Sequence, residues 1–184
     1  YLVIKDILQG KIDYNTYFSS IEGFIGLYHS YTDTHFNRDH NMNRAVGIAF
    51  QRLLNNNPVT ESGVTSAELL VKYADNMLKG KTTREDMKES VMTFFKYIVD
   101  KELFQKKYSA ALAKRIIQGS LTSESLEIEM LVRFKSSSGQ EFTAKMERML
   151  SDLQSSQNTS KEFADPLAEF IVIGASAWPL KKES

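Results

Sequence analysis

Between residues 100 and 117, large apolar side chains recur at every fourth position, as one buried face of an α-helix requires. Basic residues occupy or flank the other side of the same segment, where long cationic side chains reach solvent or a partner. The pattern predicts a helix that begins at Asp100, packs one face into a core and leaves its cations outside. The stripe consists of Phe104, Tyr108, Leu112 and Ile116, and the cations are Lys106, Lys107, Lys114 and Arg115.

Helical spacing of the same kind covers most of the first 153 residues, turn signals are far apart, and the chain has only three prolines. Two capping-box patterns, Thr65 with Glu68 and Thr82 with Glu85, mark helix starts, and Gly80 marks a helix end. These signals predict a mainly α fold, a helical bundle with long helices. An apolar run at 2–8 ends at Gly10, a helix stop, and the predicted helices that follow span residues 13–34, 37–53 or 39–53, 65–78, 82–99, 100–117, 123–134 and 140–153.

The pattern changes after residue 153. Residues 154–160 are polar and have no hydrophobic period, which predicts a linker and a domain boundary. The apolar run 170–173 is rich in branched side chains and too short for a helix, so it is predicted to be a strand. Trp178 stands before Pro179, where such a ring either anchors a strand to the neighbouring layer or contacts a partner directly.

Composition excludes several classes of function. Cysteine is absent, so no disulfide framework, thiolate metal site or nucleophilic thiol is expected. Twenty-three basic residues balance 23 acidic ones, which argues against a nucleic-acid binder. No segment approaches the roughly 18 uncharged apolar residues that a membrane span needs. The chain opens without an initiator Met and stops shortly after an apolar run, so we expect it to be a piece of a larger protein.

Candidate chemistry is sparse. The three histidines, His29, His35 and His40, do not share i, i+4 spacing on one helix and no carboxylate cluster accompanies them, so neither a metal nor a cofactor is predicted. No nucleophile motif accompanies Asp39 and the serines, and no catalytic residue is predicted. One local cluster of cations is either a solvated face or a docking site for an acidic segment. Its members are Lys79, Lys81, Arg84 and Lys88.

Residues 95–116, FKYIVDKELFQKKYSAALAKRI, resemble a signature of the cullins, the scaffold subunits of multi-subunit ubiquitin ligases. The match runs over about twenty consecutive positions, far beyond the range in which short motifs match by chance. Four further stretches are similar to cullin sequences in the same order. They are HFNRDHNMNRAVGIAFQRLLNNN at 35–57, SAELLVKYADNMLKG at 66–80, GQEFTAKMERMLSDL at 139–153 and GASAWPL at 174–180. Between 154 and 169 this chain departs from the family, because typical cullins carry a longer connector there.

The resemblance implies a division of the chain into residues 1–154, the end of the cullin helical arm plus a four-helix-bundle-like domain, and residues 155–184, the start of a truncated α/β domain. It implies a non-catalytic scaffold that links a substrate-adaptor arm to a RING-box protein and its E2 enzyme, in cytoplasm and nucleus. Adaptors would bind the N-terminal arm outside this chain, the modifiable lysine of the family would also lie outside it, and a cullin exchange factor is a further expected partner.

Two sites follow from the same resemblance. The predicted strand would pair with the RING-box protein, with Trp178 beside it, and the basic cluster would attract the acidic tail of the E2. The strand residues are Phe170, Ile171, Val172 and Ile173, and the tail-docking residues are Lys79, Lys81, Arg84 and Lys88.

Three alternatives stand beside this interpretation. The nearest is a cullin-like subunit of the anaphase-promoting complex. The next is a helical scaffold unrelated to ubiquitin, although a solenoid adaptor would be expected to show a repeat period, and none is visible. The third is an enzyme, which would need a polar constellation with perturbed pKa values.

Overall fold

A computed structural model describes residues 14–37, 39–61, 63–80, 87–163, 171–174 and 176–179. Within these ranges all regular secondary structure is helical, which confirms the mainly α prediction. The helices are α1 (Tyr14–His35), α2 (His40–Asn55), the single turn α3 (Pro58–Glu61), α4 (Ser66–Leu78), α5 (Met87–Tyr97), α6 (Lys101–Ile117), α7 (Glu124–Ser138) and α8 (Gln140–Phe163).

Side-chain caps set the helix starts that the sequence predicts. The Asp100 carboxylate accepts a hydrogen bond from the Leu103 amide at 2.8 Å, and α6 begins one residue after this cap. In the first capping box, Thr65 Oγ1 accepts from the Glu68 amide at 3.2 Å and Glu68 Oε2 accepts from the Thr65 amide at 3.3 Å. The second predicted box, Thr82 with Glu85, lies outside the described residues.

The chain divides into two compact units, and two of the three divisions fall within α4 and α6. The first unit comprises residues 1–74 and 85–104. Its core centres on Phe18 of α1, whose ring centroid lies 4.9 Å from that of Tyr73 in α4 and 4.6 Å from that of Phe94 in α5. All three rings are buried, and burial of each is worth about 1.5–3 kcal/mol.

Asn55, at the end of α2, fixes the approach to α6 within this unit. Its side-chain nitrogen donates to the Tyr97 carbonyl at 2.8 Å, and its side-chain oxygen accepts from the Val99 amide at 3.2 Å. Backbone groups between two helices have lost their helical partners, so this one amide satisfies both a donor and an acceptor there.

The second unit comprises residues 75–84 and 105–184. Gly139 ends α7 with φ of 89°, a conformation that glycine adopts without strain, and α8 begins at the next residue and packs beside α7. The predicted stripe of α6 continues into this core, where the Tyr108 ring lies 5.2 Å from that of Phe134 in α7. The four stripe residues are at most 3% exposed, which confirms the predicted face.

The predicted linker at 154–160 is wrong. Helix α8 continues through it to Phe163. The continuation has a buried side even though that side is polar, because Ser156 is only 3% exposed and its hydroxyl satisfies neighbouring backbone groups. A search for apolar spacing overlooks a face of this kind. The division at 154/155 remains a prediction, and a helix passes through it.

The predicted strand is not seen in the described residues. Residues 171–174 have no regular secondary structure, and Phe170 lies outside the described part of the chain. Residues 176–178 form a turn, in which the Ala177 amide donates to the Gly174 carbonyl at 3.1 Å. Four consecutive apolar residues favour an extended conformation. A strand also requires hydrogen bonds to a second backbone segment, and the composition of the run does not supply that segment.

No helix in the described ranges is both long enough and apolar enough to cross a bilayer.

Candidate functional site

A buried charged network joins the end of α4 to α6 and α7 in the second unit. Arg115 is 0% exposed, its Nε donates to Glu127 Oε1 at 2.6 Å, and its Nη1 donates to Asp75 Oδ1 at 2.5 Å. The Tyr108 hydroxyl donates to the second oxygen of Glu127 at 3.2 Å. Arg115 was predicted among the solvent-facing cations, and that prediction is wrong. It lies seven residues after Tyr108, so the i+7 position places it on the buried face of α6.

The electrostatics of this network favour its charged state. Burial is the largest influence and lowers the pKa of Arg115, but the charges of Glu127 and Tyr108, together with the hydrogen bonds to Glu127 and Asp75, outweigh it and the net pKa is raised. Burial, followed by the negative charge of Glu127, holds the pKa of Tyr108 well above its usual range. The guanidinium and phenol therefore stay protonated, and the network stabilises helix packing.

The basic cluster is only partly described. Lys79 Nζ lies 2.7 Å from Asp75 Oδ2, so Lys79 joins the Arg115 network through a shared carboxylate. Lys88 is half-buried and engaged with neighbours, while Lys81 and Arg84 lie outside the described residues. The docking role of the four cations therefore stays a prediction, since only two of them are described.

The extended residues after α8 are held against that helix. We call residues 171–174 and 176–179 the docked segment. Asp152 Oδ2 accepts hydrogen bonds from the Gly174 amide at 2.8 Å and from Trp178 Nε1 at 2.7 Å. One turn later, Ser156 Oγ accepts from the Val172 amide at 2.8 Å, and its one hydrogen faces two carbonyls, that of Asp152 at 2.8 Å and that of Val172 at 3.1 Å.

These contacts separate the roles of the predicted strand residues. Trp178 is only 5% exposed and serves as the structural anchor, one of the two roles that the sequence left open. Val172 is 65% exposed, whereas Ile171 and Ile173 are half-buried. Sequence reasoning missed Asp152 and Ser156, and the signal that could have found them is two small polar residues at i, i+4 in the second half of α8.

The hydrogen bonds that Asp152 accepts from the docked segment also keep its carboxylate charged. The Gly174 amide, and then the Trp178 indole, lower its pKa, because both donate to the charged form. Asp152 therefore remains an acceptor at neutral pH.

One further cation is enclosed in the first unit. Lys101 Nζ is buried, lies 3.8 Å from the centroid of the Phe95 ring, and makes no hydrogen bond within the described part of the chain. Burial lowers its pKa to about 8. Because the amine is shielded from solvent, this geometry indicates a packing role.

Two of the three histidines contact aromatic side chains. His29 Nε2 lies 3.4 Å from the Tyr97 hydroxyl, and the His35 ring contacts Tyr31. Among the described residues, no group of three or more His, Cys, Asp or Glu side chains could hold a metal ion.

Together, the fold and these contacts define a helical protein whose charged side chains fix helix ends and hold an extended segment. The chain belongs to the cullin family, since the family's sequence model, described as the cullin alpha solenoid domain, matches residues 5–160. The description agrees with the mainly α prediction, and the division into a helical arm and a four-helix-bundle-like domain remains a prediction.

Curated relatives agree with this assignment. Cullin-1 of Schizosaccharomyces pombe is 34% identical over 163 residues, which cover 80% of this chain and 21% of that protein. Cullin-1 of Dictyostelium discoideum is 31% identical over 196 residues, 96% of this chain and 26% of that protein. Cell division control protein 53 of Saccharomyces cerevisiae is 36% identical over 103 residues, 54% of this chain and 13% of that protein. The chain thus spans about a quarter of the length of the first two relatives.

Proposed function

We propose that this chain is a non-catalytic scaffold segment of a cullin-RING ubiquitin ligase, linking a substrate-adaptor arm to the RING-protein and E2 module. The observation that carries the proposal is the family match over residues 5–160, together with about 30% identity to cullins across most of the chain. In such an assembly the scaffold accelerates transfer by holding two reactants at high effective concentration, and the chemistry belongs to the cysteine of the E2.

The finer proposal for the docked segment is that Phe170–Ile173 becomes the first strand of an α/β domain by pairing with the RING-box protein. Exposed Val172 supports it, since an apolar side chain in an extended segment suits strand addition. The backbone groups of Ile171 and Ile173 form no hydrogen bond with another described residue. The Val172 backbone differs, because its amide donates to the Ser156 hydroxyl. Pairing therefore requires the incoming strand either to use the two isoleucines or to displace Ser156.

The finer proposal for the basic cluster is that it attracts the acidic tail of the E2, with Lys79, Lys81, Arg84 and Lys88 as the docking residues. Attraction of this kind raises the association rate and weakens with salt. Because Lys79 is paired with Asp75, its substitution would also disturb the Arg115 network. The informative variant is therefore Lys81→Glu with Arg84→Glu, which should slow E2 recruitment and flatten its salt dependence.

The remaining partners follow from the family alone. Adaptors would bind an N-terminal arm, a cullin exchange factor would compete for the assembled scaffold, and the complex would act in cytoplasm and nucleus.

The decisive experiment is co-expression of a RING-box protein with a full-length cullin that contains this chain. We expect a stable complex that transfers ubiquitin when E2 is added. Val172→Pro should abolish capture, because proline removes a backbone donor and misaligns the strand. Leu27→Ala, at an exposed position of α1, is the control and should leave capture unchanged. A wild-type protein that captures no RING-box protein would refute the ligase role, whereas capture by the Val172→Pro variant would refute only the strand assignment.

A further inference from the structure

A groove of about 200 Å³ lies in the second unit, between α6, α8 and the docked segment. Its apolar lining comes from Phe142 and Met146 of α8 and from Trp178 and Pro179 of the docked segment. Small-molecule sites usually exceed about 300 Å³, so this volume suits one large side chain better than a cofactor.

The rim of the groove is cationic. Lys106 of α6 and Lys145 of α8 both line it and both are exposed. Neither ammonium forms an ion pair with another described residue, and no carboxylate is among the described lining residues. Ser109, which is 9% exposed, also lines the groove, and its hydroxyl makes no hydrogen bond within the described part of the chain. Charge complementarity therefore specifies an acidic occupant.

The groove is already formed. Trp178 is fixed by its hydrogen bond to Asp152, and Gln105 of α6 donates to the Phe142 carbonyl of α8 at 2.7 Å. A site held in shape before binding avoids the entropic cost of ordering its own walls.

We propose that this groove binds a segment of a partner protein in which one large apolar side chain is flanked by aspartate or glutamate. The apolar side chain fills the space over Trp178 and Met146, and the flanking carboxylates pair with Lys106 and Lys145. The Ser109 hydroxyl donates to an oxygen of the same segment. This surface is distinct from the Lys79 cluster, and its test does not require a ubiquitin ligase.

The test uses the intact 184-residue chain, in which Trp178 is the sole tryptophan and therefore reports directly on the groove. The probe is a nine-residue synthetic peptide with a central Phe among glutamates. We expect a saturable change in Trp178 fluorescence that weakens with added salt. Replacing the central Phe by Gly should weaken binding about tenfold, because the apolar contact is lost.

Charge-reversal variants test whether Lys106 and Lys145 bind the acidic residues of the peptide. Lys106→Glu with Lys145→Glu should weaken binding about tenfold or more, since each exposed ion pair contributes up to a few-fold and reversal adds repulsion. The matched control is Lys72→Glu with Lys114→Glu, which changes net charge equally at exposed positions that do not line the groove and should retain binding within about twofold. If the double reversal lowers the unfolding midpoint, Lys106→Gln with Lys145→Gln takes its place and should weaken binding about fourfold.

Each contrary outcome overturns the proposal. Absence of saturable binding at millimolar peptide would show that the groove has no such ligand. Equal binding of the Gly peptide, or of a polyphosphate of the same charge, would show non-specific attraction to cations. Equal weakening by the control reversal would place the peptide elsewhere on the chain.

Discussion

The indole Nε1 of Trp178 donates a hydrogen bond to Asp152 Oδ2 across 2.7 Å, joining residues that are 26 positions apart. The same oxygen accepts the Gly174 amide, so one carboxylate fixes both the backbone and the ring of the docked segment. In the proposed scaffold, this anchor sets where the RING-binding strand leaves α8. In the proposed groove, it sets the position of one wall.

Asp152→Ala should release the docked segment while α8 stays folded. Hydrogen bonds to charged groups contribute about 1.5–3 kcal/mol when buried, and at this partly exposed carboxylate we expect a loss of about 1 kcal/mol. Trp178 fluorescence should shift to longer wavelength, and the Gly174 amide should exchange faster. Ser151→Ala, at the neighbouring exposed position, should change neither signal. An unshifted emission spectrum in Asp152→Ala would show that packing alone holds the ring.

Acid should release the same segment. The folded-state pKa of Asp152 is lowered, so its contribution to stability is complete above the unfolded pKa near 4 and is lost as pH falls through the folded value. Trp178 emission should therefore shift to longer wavelength below about pH 4. Asp152→Asn, which cannot titrate, serves as the comparison. An identical acid transition in both proteins would assign it to other carboxylates.

How far the sequence predicts the structure depends on whether local periodicity carries the information. The α6 stripe could be predicted, and is confirmed, because an apolar residue at every fourth position identifies the buried face of a helix. Arg115 has the spacing of the same face but was misassigned because of its charge, since the carboxylates that make its burial possible, Glu127 and Asp75, lie 12 and 40 positions away. Asp152 was missed for the same reason, since its partners lie on a segment without helical spacing. The family signature was visible in the sequence, but the contacts that hold its elements together were not.

Leu112→Ala tests the stripe directly. Leu112 is 0% exposed, and truncation of a buried leucine leaves a cavity worth about 2–5 kcal/mol. Urea unfolding should show this loss, whereas Lys114→Ala, on the exposed side of α6, should stay within about 0.5 kcal/mol of the parent. Equal midpoints for the two variants would contradict the assigned face.

The Arg115–Glu127 pair should show strong non-additivity. Arg115→Met leaves Glu127 buried without its cation, and breaking a buried pair in this way costs about 3–5 kcal/mol. Arg115→Met with Glu127→Met removes both charges and should recover much of that loss, although Tyr108 and Asp75 each lose a partner. A double-mutant cycle by urea unfolding measures the coupling. Additive losses would mean that the two side chains act independently despite their 2.6 Å contact.

Lys101 should make the protein more stable as the solution becomes more alkaline. Burial lowers its pKa to about 8 in the folded chain, whereas an unfolded lysine titrates near 10.4. Between these values the unfolded chain binds more protons than the folded chain, so the free energy of unfolding rises with pH. Below about pH 8 the amine is charged in both states, and the full cost of burying that charge destabilises the folded chain.

Lys101→Met removes the titrating amine and keeps the aliphatic contact with Phe95, so it should be more stable than the parent at pH 7.5. From pH 7.5 to 9.5 the stability advantage of Lys101→Met should shrink by about 1 kcal/mol. This change is smaller than the pKa difference alone would give, because Lys101 is only half-buried and the Phe95 ring favours the cation. Urea unfolding of both proteins at the two pH values measures the change and cancels the titration of other groups. If the advantage of Lys101→Met were the same at both values, Lys101 would keep its proton in the folded chain throughout this range, and attraction to the Phe95 ring would have to offset its desolvation.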